Sequence, residues 1–209
     1  METRTGMPET VLQGVDIRGV TATNGTAKAR LERAALTLFA RKGVDGVSTR
    51  EIAAAAGLSE GSIYKNFVSK DALAQSLFEA IHVRLYALVR TAITESTSFR
   101  DAVEKVVHAY CEAADSDRAL FEYHLTHMFR FGQVDRPGRP DPTALVAERI
   151  EQAMREGDCP AGDAELKAAA GLGVVLQPAA HRMAERFSTL MTTRAPSLSR
   201  AALAAIKEA

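Results

Sequence analysis

The chain has 209 residues, 46% hydrophobic and 25% charged, a composition that supports a sizeable core in one large domain or two small ones. Its 26 basic and 26 acidic residues cancel, so global charge names no partner, and no apolar run is long enough to span a membrane, which sets a cytoplasmic expectation. Cys111 and Cys159 fit no CxxC pattern, which excludes a disulfide scaffold, and the absence of tryptophan argues against a carbohydrate-binding face.

Residues 1–24 are polar, without periodicity, and read as a disordered N-terminal arm. A helical pattern starts at Thr26, with Leu31, Ala34, Ala35, Leu38 and Phe39 on one stripe and Gly43 as its stop after Arg41 and Lys42. "STRE" then reads as a capping box, Ser48 with Glu51, opening a short alanine-rich helix near 48–56 that ends at Gly57. Ser59 is expected to cap the next helix and Ser69 the one after. That fourth helix is long and apolar at Leu73, Leu77, Ile81, Leu85, Leu88 and Ile93. Further helices are placed near 98–114, 117–130, 143–156, 163–190 (with Pro178 as a kink) and 198–208. Loops are placed at 132–142 and 157–163. Nothing reads as a strand, so the expected fold is all-α, about nine helices.

Three short helices with a turn at Gly57 between the second and third describe a helix-turn-helix. The small alanines of the second helix permit a close crossing. The third keeps Ile63 and Phe67 for the core and leaves Gly61, Ser62, Tyr64, Lys65 and Asn66 on its other face. Lysine and asparagine can bond base edges, and tyrosine and serine hydroxyls can reach phosphate oxygens. Tyr64 can equally pack on the scaffold, and Asn66 can simply end its helix. From Thr26 to Lys70 eight basic residues face four acidic ones, a local excess of +4 that suits an anionic partner.

Residues 35–79 resemble the DNA-binding domain of the TetR family of transcriptional regulators. The resemblance rests on Phe39 and Gly43, Thr49 and Ile52, the run Ala53 to Ser59, Gly61, Ile63, Tyr64, Phe67 and Lys70, without insertions. It is looser at 171–183. It implies a helix-turn-helix domain at 25–70 and a helical effector-binding and dimerisation domain at 71–209. It further implies phosphate contacts by Tyr64 and Lys70 and base contacts by Lys65, Ser62, Gly61 and Asn66. Ser48, Thr49 and Arg50 would lie against the DNA backbone, and Lys28 would reach a phosphate from the first helix. Many relatives carry an aromatic residue or histidine where this chain has Lys65 and Asn66, so the operator sequence is not readable.

The function implied is a homodimeric repressor on double-stranded DNA, released from a palindromic operator by a small molecule, with the last two long helices as the dimer contact. Those helices serve equally as intramolecular core. The alternative is a helical small-molecule carrier whose helix-turn-helix no longer reads DNA. Effector candidates centre on "ALFEYHLTHMFRF", with Phe121, His124, His127, Met128 and Phe131, faced by His108, Cys111, Gln177 and His181. His108/Cys111 and His124/His127 are i, i+3 pairs, but no third ligand accompanies either, so no metal or cofactor is expected. No catalytic motif occurs: there is no phosphate loop, nucleophile elbow or carboxylate pair.

Overall fold

The computed structural model describes residues 25–132 and 140–209, so the 1–24 arm and most of the 132–142 loop lie outside the described residues. Those residues form nine helices and no strand: α1 (Ala27–Lys42), α2 (Thr49–Ala55), α3 (Gly61–Asn66), α4 (Lys70–Thr94), α5 (Phe99–Ser116), α6 (Arg118–Phe131), α7 (Pro142–Glu156), α8 (Ala164–Met183) and α9 (Met191–Glu208).

Local chemistry sets most boundaries. The Thr26 hydroxyl accepts from Ala29 N–H to open α1, and Gly43, at φ 71°, closes it. Leu31, Ala35, Leu36 and Phe39 are the buried face of α1, while Ala34 and Leu38 are half-buried, a slight rotation from the expected stripe. The capping box forms as read: Glu51 N–H donates to Ser48 Oγ at 3.2 Å and Ser48 N–H to Glu51 Oε2 at 2.8 Å. The Ser59 cap does not form. Its hydroxyl meets that of Ser62 at 3.1 Å, and α3 starts at Gly61 with no side-chain cap. Gly57 takes φ 64°, a left-handed conformation that favours glycine, and a Cβ there would displace only the movable end of Arg30, at 2.8 Å.

α4, about 37 Å long at 1.5 Å per residue, joins the two parts of the molecule. It packs on α1 and α6 near its start and on α5 and α7 further along. α8 runs through Pro178 but ends at Met183, short of the expected 190, and Glu185 turns the chain with φ 57°. α9 begins at Met191 rather than 198. Asp115, on α5, explains the early start: its carboxylate accepts from Met191 N–H (3.1 Å), Thr192 N–H (2.9 Å) and the Thr192 hydroxyl (2.8 Å). Arg182 joins it at 3.1 Å and ties the end of α8 to the same carboxylate. At the other end of α9, the fully buried Lys167 donates to Ile206 O at 2.9 Å, placing a cation at the negative helix terminus. Gly171 lets α8 approach α9, since a Cβ there would meet Ile206 at 2.8 Å. Both cysteines are free and buried.

Candidate nucleic-acid interface

α1, α2 and α3 share one small core. Ile63 is fully buried and Phe67 nearly so, each contributing about 1.5–3 kcal/mol of apolar burial. Four residues apart, they fix which side of α3 faces inward. The opposite side carries Gly61, Tyr64, Lys65 and Asn66, all exposed, with Ser62 half-buried between. Tyr64 is 59% exposed, so its ring is not scaffold packing. Open space surrounds the Gly61 Cα, leaving its backbone bare.

Several of the ten expected DNA-facing side chains already have partners. Asn66 Nδ2 donates to Ser62 O at 2.7 Å, which closes the last turn of α3. The Thr49 hydroxyl donates to Glu60 at 2.6 Å, and Ser48 is held in its capping box. Lys28 pairs with Glu32 at 3.8 Å and lies over the Phe67 ring at 5.8 Å. Lys70 Nζ donates to Val47 O at 2.7 Å, pinning the turn after α1 to the start of α4. Arg50, Tyr64 and Lys65 are exposed, with no side-chain hydrogen bond to other described residues.

Three acids of this region, Glu51, Asp45 and Asp71, are held by nearby cations. The Ser48 N–H, and then Lys42 at 2.9 Å, hold the Glu51 carboxyl at about 2. Arg130, reaching over from α6, hydrogen-bonds Asp45 at 3.0 and 3.3 Å and lowers its pKa; the same guanidinium bonds Asp71 at 3.0 Å. Between Thr26 and Lys70 eight basic residues against four acidic ones leave the segment with a net positive charge.

Arg130 belongs to a seam that the sequence reading missed. Tyr123, fully buried, donates its hydroxyl to Ala74 O at 2.7 Å and stacks on Phe39 at 6.1 Å. Arg33 meets Asp117 at 3.2 Å. At its other end α6 reaches α8, through Arg118 to Met183 O at 2.7 Å. Thus α6 touches both the three-helix head and the body behind it.

The nine effector candidates lie in different surroundings. His108 is exposed, 3.5 Å from Glu112, and Gln177 is exposed, 3.2 Å from His181. Cys111 is buried, and burial, with Asp115 and Glu112 near, pushes its thiol up to about 11. Phe121 packs edge-on to Tyr110 at 6.3 Å. His124 stacks on Phe78 at 5.0 Å and meets His82 at 3.3 Å. His127 is buried beside Phe131, and its Nδ1–H donates to Tyr123 O at 2.9 Å; burial lowers its pKa. Met128 is partly buried on the same helix. A partly open cavity of the body lies between α4, α5, α7, α8 and α9, and none of the nine lines it. Among the described residues no group of three or more metal-ligating side chains occurs, and no helix is long and apolar enough to cross a membrane.

The family model described as "Bacterial regulatory proteins, tetR family" matches residues 32–77, which run from α1 through the helix-turn-helix into α4. Residues 32–77 are a TetR-family N-terminal domain. Over 97 residues it is 29% identical to the HTH-type transcriptional repressor KstR2 of Rhodococcus jostii, a match spanning 45% of this chain and 48% of that protein. Over 134 residues it is 27% identical to the HTH-type transcriptional regulator UidR of Escherichia coli, spanning 63% of this chain and 68% of UidR. The chain thus spans about half of KstR2 and about two thirds of UidR. The fold extends further: the fatty acid degradation regulator FadR of Bacillus halodurans superposes with a TM-score of 0.73 at 19% identity, over 84% of this chain and 94% of that one.

Proposed function

We propose that this chain is a DNA-binding transcriptional repressor that acts as a homodimer on a two-fold-symmetric operator and is released by a small molecule bound in its helical body. The observation that carries the reading is the division of α3. Ile63 and Phe67 anchor it, while Tyr64 and Lys65 stand clear on the outer face. Lys65, Ser62 and Gly61 face the bases. Tyr64, Arg50 and Lys28 contact phosphates, with Ser48 and Thr49 at the α2 end beside them. Lys70 adds to the phosphate contacts with the ammonium hydrogens that Val47 O leaves over. Asn66 holds the end of α3 in place.

Support for the dimer comes from α8. Its outer side is uncharged at Leu166, Ala169, Gly173 and Gln177, all exposed. Release follows from linkage: an effector that binds a DNA-incompatible arrangement more tightly shifts the population toward it. α6 is placed to transmit that shift, since it contacts α8, α4 and α1.

Selection of bound sequences from random duplex DNA at near-physiological salt tests the reading. Recovery of an inverted repeat is the expected outcome. A folded dimer that enriches no sequence sinks the repressor reading and favours a helical small-molecule carrier.

A further inference from the structure

Two openings in the body meet at Arg149. One is the partly open cavity, about 30 Å³, walled mostly by apolar side chains such as Phe99, Val106, Leu172 and Val175. The other is a surface groove of about 420 Å³ between the end of α4 and α7, which carries Arg90, Arg155, Glu148 and Glu151. Ile93 and Arg149 line both. The Arg149 side chain is only 12% exposed, and its guanidinium lies over the Phe99 ring at 5.3 Å. Its Nη1 is buried without a hydrogen-bond acceptor; Glu156 Oε2, at 3.6 Å, is an ion pair beyond hydrogen-bonding distance. A buried guanidinium nitrogen in this state is unfavourable unless something completes it.

We propose that Arg149 is the anion anchor of a ligand site for a monocarboxylic acid with an extended apolar body. A carboxylate matches the guanidinium fork and supplies the missing acceptor. The apolar part of the acid enters between α4, α5, α7 and α8, where apart from Arg149 and Tyr110 the cavity walls are apolar. A volume of about 30 Å³ holds roughly one water, so a tail of any length must part these helices. Binding therefore favours an expanded body over the one described. The site rests on the effector-released reading above and gives that effector a chemical class.

The test is calorimetric titration of the full-length protein, without DNA, using dodecanoate and dodecan-1-ol at pH 7.5. Dodecanoate is expected to bind at least tenfold more tightly than the alcohol. Arg149→Met and Arg149→Gln are each expected to bring that ratio close to one while binding of the alcohol persists. Val106→Phe, which fills the cavity, is expected to weaken both ligands. Equal binding of acid and alcohol by the natural protein, binding of neither, or an unchanged ratio in either Arg149 variant overturns the proposal. Because no DNA is present, a protein that selects an operator but ignores dodecanoate sinks only this inference. One that binds the acid through Arg149 but selects no operator sinks only the repressor reading.

Discussion

Lys65 and Lys70 show why two lysines five positions apart in one motif are different experiments. Lys65 is exposed and has no hydrogen bond to other described residues, whereas Lys70 donates to Val47 O at 2.7 Å. Lys65→Ala therefore removes only what the side chain does with DNA. If it reads a base, discrimination between the selected site and a single-base variant falls by about 1–3 kcal/mol, with thermal stability unchanged; competition binding and a melting curve check both. Lys70→Ala is expected to lower stability and to weaken specific and non-specific DNA alike. Only a flatter dependence of affinity on salt would separate the phosphate contact proposed for it from its structural one. The exposure of Lys65 was legible because Ile63 and Phe67, four apart, fix the inward face. The attachments of Lys70 and Thr49 were not, because Val47 lies 23 residues from Lys70 and Glu60 lies 11 from Thr49. Spacing along one helix does not encode such partners.

At the scale of elements, the helices that open on their own residues were legible, and the one that opens on a distant residue was not. Ser48 and Ser69 cap the helices that follow them, as local patterns indicate, whereas Ser59 does not. Leu190, before α9, has no capping side chain, and the sequence alone places the start near 198. Asp115, 76 residues earlier, supplies the missing acceptor. Burial pushes its carboxyl up, but the Thr192 and Met191 N–H groups and Arg182 outweigh that and hold it below its ordinary value. Asp115→Ala is expected to cost about 2–3 kcal/mol in urea unfolding, since it strips a charged acceptor from buried donors. Amide exchange at Met191 and Thr192 should quicken in the same variant. A carboxyl with a lowered folded pKa stabilises fully above its ordinary value of 3.8, and that contribution fades as pH falls through the folded value. The gap between the natural chain and the variant should therefore close in strong acid. A gap that persists there would assign the loss to packing rather than to the cap.

For the whole molecule, the aromatic-rich α6 shows that large side chains suit a seam between parts of the fold as well as a pocket. Tyr123 and Arg130 hold the head against the body, while the cavity is walled by ordinary core residues of α5, α7 and α8 that no motif distinguishes. Symmetry is the remaining question at this scale. The small residues of α8 divide between two jobs: Ala168 and Gly171 are buried against the chain's own helices, whereas Ala169 and Gly173 face outward. A Cβ at Gly173 would meet nothing within 4 Å, so a side chain there is tolerated within the protomer. Helix propensity even favours it, by about 1 kcal/mol for alanine over glycine. If the proposed dimer pairs through α8, Gly173→Glu should keep its helical signal yet fail to dimerise, because each copy would set a carboxylate against a desolvated, self-complementary surface. Gly173→Ala should remain a dimer. Sedimentation velocity across a concentration series distinguishes them. If the pairing is what aligns two α3 helices on one operator, the Glu variant must also lose operator affinity by tenfold or more while keeping weak, salt-sensitive binding to any duplex. A Gly173→Glu protein that still sediments as a dimer would move the interface off α8.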